Sequence, residues 1–139
     1  MPRRTDLAAA SRDSQLALRR VERQQALIER LHAAHGGRVQ LDDLAADLHV
    51  STRTLVRDVE RLRLSGVPIS THRGRGGGLS LPRVTAMAPI VFDLPEAAAL
   101  MSSLTVLGPS VTSSATSAMS KLVAALQRGP ASPPSRPAP

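Results

Sequence analysis

The chain has 139 residues, a net charge of +7, no cysteine, and Phe92 as its single aromatic residue. These facts exclude disulfides and thiolate chemistry. They also argue against single-strand binding by base stacking, which needs exposed rings. The length suits one domain, or one small domain plus an appendage, with a core of Leu, Val, Ile, Ala and Met.

The charge is uneven. Residues 1–83 hold 15 of the 18 basic residues and 9 of the 11 acidic ones, which leaves +6 there and +1 in the remainder. A basic front half favours a polyanionic partner, with counterion release supplying most of the affinity. All but one of the basic residues are Arg. Arg suits bidentate contacts to phosphate and guanine, although Arg and Ala richness also follows from a GC-rich genome. The N-terminal bases Arg3, Arg4 and Arg12 precede no apolar run of signal-peptide length. No stretch approaches membrane-span length either, so no membrane partner is expected. A cytoplasmic protein is expected.

In chain order, residues 1–15 are polar and read as a disordered basic arm. From Leu16 to about Ala34, apolar residues recur at helical spacing at Leu16, Val21, Leu27, Ile28 and Leu31. Gly36 and Gly37 end this first helix. Arg38 to Gln40 is short and extended. Leu41 to Leu48 forms a second helix, burying Leu41, Leu44, Ala45 and Leu48. His49 and Val50 make a turn. Ser51 stands where an N-cap belongs, its hydroxyl accepting from a backbone N–H one turn in. A third helix runs from Thr52 to about Ser65, and Gly66 supplies a left-handed stop. Val67 to Arg73 reads as a strand, Gly74 to Gly77 as a flexible loop, Gly78 to Leu81 as the return strand, and Pro82 closes it.

Composition shifts after Arg83. Asp93 caps a helix with Pro95 in its first turn and Glu96 close behind. Its apolar positions are Ala97, Leu100, Met101, Leu104 and Leu107, and Gly108–Pro109 breaks it. A further helix spans about Thr112 to Gln127, with Ala115, Met119, Leu122, Val123 and Leu126 on one face. Residues 129–139 are rich in Pro, Ser and Ala and read as a disordered tail. The expected fold is mainly α: a winged helix-turn-helix of three helices plus a β-hairpin wing over 16–83, then two helices over 84–128 that pack on the first helix or form a dimer surface.

The third helix carries the functional signal. Leu55, Val59 and Leu62 share a face that suits the core. Thr52, Arg53, Val56, Arg57 and Glu60 face away, and the first turns of such a helix enter the major groove. Arg53 and Arg57 are the candidates for base edges, with guanine O6 and N7 as the natural acceptors. Thr52 and Thr54 reach phosphate or a thymine methyl. Arg61 and Arg63 lie deeper and serve as phosphate contacts or as partners of Asp58 and Glu60. In the wing, Arg73 and Arg75 flank Gly74, and the glycines allow close approach to the sugar-phosphate chain or minor groove. The candidate DNA-binding set is therefore Ser51, Thr52, Arg53, Thr54, Arg57, Arg61, Arg73 and Arg75.

Other chemistry is poorly represented. His32, His35, His49 and His72 show no metal-ligand spacing. The glycine loop lacks the pattern of a nucleotide motif. The serines from Ser102 to Ser120 have no nucleophile-elbow context. Asp42 and Asp43 open the second helix, where the macrodipole accounts for them. No enzyme, cofactor or metal is expected.

The stretch from Arg23 to about Gln127 resembles the DeoR-like winged-helix transcriptional regulators of the WYL-domain type found in bacteria. The residues that carry this are Leu44–Ala45, Val50–Ser51, Arg53–Thr54, Arg57–Asp58, Gly66, Pro68–Ile69, Gly77–Gly78 and Leu81. Phe92 to Ala97 and Ala118 to Leu122 are similar to the helical segment after the wing in that family. The resemblance implies operator binding, with Ser51, Arg53, Thr54 and Arg57 at the DNA surface. Val56 and Leu79 stand where the family commonly has aromatics. The chain has neither Trp nor Tyr, so the sensor domain named for Trp-Tyr-Leu is not expected, nor a small-molecule effector. The expected function is a sequence-specific regulator acting on double-stranded DNA as a homodimer. A winged-helix protein–protein adaptor and a non-specific nucleoid-type binder remain the alternatives.

Overall fold

A computed structural model describes residues 3–84, 87–108 and 112–129 of the chain. Its elements in order are α1 (Arg4–Ala33), α2 (Leu41–Asp47), α3 (Thr52–Leu64), β1 (Ser70–His72), β2 (Gly78–Ser80), α4 (Leu94–Leu107) and α5 (Ser113–Arg128). They divide into two compact units between Ala88 and Pro89.

The expected arm over residues 1–15 is instead helical from Arg4, as part of a 30-residue α1. Local chemistry explains this. The Arg3 backbone N–H donates to the Asp6 carboxylate at 3.2 Å, which also sits well against the helix dipole. Ala8, Ala9 and Ala10 carry the highest helix propensity, and neither Gly nor Pro interrupts residues 3–35. Burial plays no part, because every residue from Arg3 to Ala17 is exposed. The polarity that suggested an arm marks an exposed helix. The expected tail over 129–139 falls outside the described residues beyond Gly129.

Three helix ends shape the first unit. α1 stops as His35 and then Gly36 turn left-handed, at φ 49° and 87°. α2 ends in a Schellman motif. The His49 N–H donates to the Ala46 carbonyl at 3.2 Å and the Val50 N–H to that of Ala45 at 3.0 Å. His49 takes the left-handed position, with φ 54°. α3 ends the same way at Gly66, φ 93°, with Gly66 N–H on Arg63 and Val67 N–H on Leu62.

The expected strand from Val67 is shorter and begins at Ser70. The first residues are still finishing the α3 cap. Pro68 has no N–H to give a ladder, and the Ile69 N–H turns back onto the Val67 carbonyl at 2.8 Å. β1 then pairs antiparallel with β2, Thr71 opposite Leu79. Val39 joins the other side of Leu79 through two hydrogen bonds of 2.8 and 2.9 Å. Leu79 therefore lies at the centre of three short extended segments.

The core holds Leu27 and Leu31 of α1, Leu44 and Ala45 of α2, and Leu55, Val59 and Leu62 of α3, closed by Val39, Ile69, Leu79 and Leu81. Each fully buried leucine is worth about 1.5–3 kcal/mol. One charged residue shares this interior. Asp58 is fully buried, on the same α3 stripe as Leu55 and Leu62. Its carboxylate accepts from Arg23 Nε of α1, from Gln24 Nε2 at 3.2 Å and from Arg61 Nη1 at 3.4 Å.

The second unit is a pair of helices. Asp93 caps α4 reciprocally: the Glu96 N–H donates to Asp93 Oδ1 and the Asp93 N–H to Glu96 Oε2, each at 2.9 Å. Thr112 Oγ1 caps α5 by accepting from the Ala115 N–H at 3.0 Å. Among the described residues of this unit only Ala97 is buried, while Leu94 and Val106 are largely exposed.

Removing Asp58 leaves Arg23 and Gln24 without their acceptor. Asp58→Ala is expected to lower the unfolding free energy by about 3 kcal/mol. The readout is a lower denaturant midpoint at unchanged slope; an unchanged midpoint would show that the buried carboxylate contributes nothing.

Candidate nucleic-acid interface

α3 begins with a working cap. Ser51 Oγ accepts from the Thr54 N–H at 3.2 Å and donates to Thr54 Oγ1 at 3.1 Å. Of the residues singled out from the sequence, Ser51 and Thr54 are thus brought together, and their polar atoms serve the helix start. Thr54 is half-buried, whereas Thr52 is exposed in the first helical position.

Beyond the cap, Arg53 and Arg57 lie one turn apart on the outward face, with the exposed side chain of Val56 beside them. Among the described residues, neither arginine has a hydrogen-bond or ion-pair partner. Arg63 is likewise exposed and has no partner among the described residues. Arg61 differs. Its guanidinium leans back to Asp58, and the side chain is about half exposed at 48%. The one α3 arginine that turns inward therefore belongs to the anchor under the helix. Arg30 of α1 is also occupied, by Asp47 of α2 at 3.1 Å.

The hairpin between β1 and β2 carries Arg73 and Arg75, both exposed and without a partner among the described residues. Its tip is a four-residue turn in which the Gly77 N–H donates to the Gly74 carbonyl at 2.9 Å. Gly76, third in that turn, has φ 68°, as a type II turn requires. The base of the hairpin is tight. A Cβ on Gly78, where φ is 121°, would lie 2.2 Å from the Val39 carbonyl oxygen. His72 Nε2 and Ser80 Oγ close the stem across the ladder at 2.8 Å.

Two features were not found in the sequence. One is the burial of Asp58. The other is the pair Arg38 and Gln40, whose side chains reach the hairpin carbonyls of Gly76 and Gly77. A signal existed for both. Position 58 falls between Leu55 and Leu62 at helical spacing, and polar residues two apart around Val39 share one face of an extended segment.

The remaining surface offers little else. Among the described residues, no group of His, Asp and Glu is placed to hold a metal. No described helix is long and apolar enough to cross a membrane.

Residues 23–78 match the HTH domain family. Over 43 residues, 31% of this chain, the sequence is 44% identical to "Uncharacterized HTH-type transcriptional regulator YobV" of Bacillus subtilis (strain 168). The matched segment spans 14% of that protein's length. No solved structure matches the chain. The family match begins at Arg23, the residue that reaches Asp58, and ends at Gly78, where the hairpin meets Val39. The family match thus covers α2, α3 and β1.

Ser51→Ala is expected to destabilise the fold by about 1 kcal/mol through loss of the cap. Gly78→Ala should cost more, about 2 kcal/mol, because the added methyl meets backbone at a left-handed residue. Parallel denaturant melts check the order; equal effects would contradict the close approach at Gly78.

Proposed function

We propose that the chain is a sequence-specific transcriptional regulator that binds double-stranded DNA through α3 and the hairpin. α3 enters the major groove, and Arg53 and Arg57 donate to base edges, guanine O6 and N7 being the fitting acceptors. Val56 and Thr52 supply apolar and hydroxyl contact on the same face. The wing, residues 73–78, lies on the flanking backbone or minor groove and places Arg73 and Arg75 there. Within this reading the subfamily is the DeoR-like one of WYL type, and no side chain has a catalytic role.

One observation carries the proposal. The exposed, capped face of α3 presents guanidinium groups with no partner among the described residues, while Arg23, Arg30 and Arg61 are each engaged with an aspartate. Charges left free on a convex helix suit an external polyanion, and net positive charge over residues 1–83 draws one in.

A homodimer completes the reading. A single helix reads only a few base pairs, and a two-fold pair doubles the site. α4 and α5 expose Leu94, Leu100, Val106 and Leu126. Two helices with so little buried surface gain stability by meeting a second copy. Light scattering on the purified chain is expected to give the mass of two chains; a monomer at working concentration would remove this part of the proposal.

The main test is selection of duplex sites from a random pool, at two salt concentrations. An enriched motif is expected, bound roughly a thousandfold or more tighter than random duplex. Arg53→Ala and Arg57→Ala should each cost about 1–3 kcal/mol on that site and relax the preference at one position. Arg61→Ala should affect stability more than sequence preference. Arg75→Ala should weaken all duplexes alike and reduce the salt slope by about one. Equal affinity for every duplex would make the protein a non-specific binder. Absence of duplex binding would leave only a protein-docking role.

A further inference from the structure

We propose that Arg38 and Gln40 are positioning residues for the wing, holding its return limb so that Arg73 and Arg75 meet DNA already ordered. The inference rests on the DNA-binding reading above and extends it to a segment that lies outside both the recognition helix and the hairpin.

Three successive residues grip four others. Arg38 Nη1 donates to the Gly76 carbonyl at 3.2 Å. Gln40 Nε2 donates to the Gly77 carbonyl at 3.0 Å. Between them Val39 exchanges both backbone hydrogen bonds with Leu79. Gly78 closes the gap, so near to Val39 that no side chain fits.

The wing needs such a grip. Residues 74–78 contain four glycines, and glycine has the most backbone freedom to lose on ordering. Within the turn itself, one backbone bond, Gly77 to Gly74, holds the tip. A loop that samples many shapes binds in proportion to the fraction already in the right one. Two side-chain donors on adjacent carbonyls raise that fraction.

A rival role for Arg38 is a phosphate contact of its own, and a double-mutant cycle separates the two. Duplex affinity would be measured with the full chain on the selected site for the native protein, Arg38→Ala, Gln40→Ala, the Arg73→Ala/Arg75→Ala pair, and each combined variant. Arg38→Ala and Gln40→Ala should each weaken binding by about threefold to tenfold. Both effects should vanish when Arg73 and Arg75 are already absent, which a general loss of stability would not produce. Trypsin cleavage after Arg75, without DNA, should also accelerate in both variants. An Arg38→Ala effect of equal size in both backgrounds would overturn the proposal in favour of direct contact. No effect of either variant, with Arg75→Ala still harmful, would show that the wing needs no brace. If Arg53→Ala is inert too, or the native chain binds no duplex, the DNA-binding reading falls and takes this inference with it.

Discussion

The buried carboxylate of Asp58 governs how α3 sits. A helix with Leu55, Val59 and Leu62 on its inner face can rock on an aliphatic core, since leucine contacts are non-directional. A fully buried aspartate cannot, because its charge must be matched by donors in fixed places. Arg23 and Gln24 of α1 supply them, and Arg61 adds a third from α3 itself. The ion pair links residues 35 apart in sequence. It sets the rotation of α3 about its axis, and so decides that Arg53 and Arg57 point outward. Burial of such a pair is weak evidence for net stability; its contribution here is orientation.

That constraint sorts the arginines. A chain this rich in Arg offers many candidate contacts, and charge alone does not rank them. Partnership does. Arg23 ties α1 to α3 and Arg30 ties α1 to α2, Arg61 turns back to Asp58 within α3, and Arg38 holds the hairpin. Among the described residues, Arg53, Arg57 and Arg63 of α3 and Arg73 and Arg75 of the hairpin have no partner within the chain. The paired and the unpaired arginines are chemically identical and differ only in what lies within reach.

Features governed by a few adjacent residues could be read from the sequence. The Ser51 cap, the Gly66 stop, the Asp93–Glu96 capping box and the buried faces of α2 and α3 each follow from local chemistry. Features set by distant contacts could not. Asp58 looks like one more charge on a charged helix until Arg23 arrives from α1. Arg38 and Gln40 look like loop residues until Gly76 and Gly77 fold back to them. The early part of α1 misled for a different reason: helix formation there comes from alanine propensity and an Asp6 cap rather than from an apolar face. The start of β1 was overrun because the α3 cap consumes Val67 and Pro68 before any ladder can begin.

The most direct test of the central claim is methylation interference on the selected duplex. Methylating guanine N7 blocks the acceptor that a guanidinium would use in the major groove. Guanines are expected whose methylation abolishes binding by the native chain but not by a variant lacking the Arg53 and Arg57 side chains. A site with no sensitive guanine, or one whose sensitivity is unchanged in that variant, would contradict it.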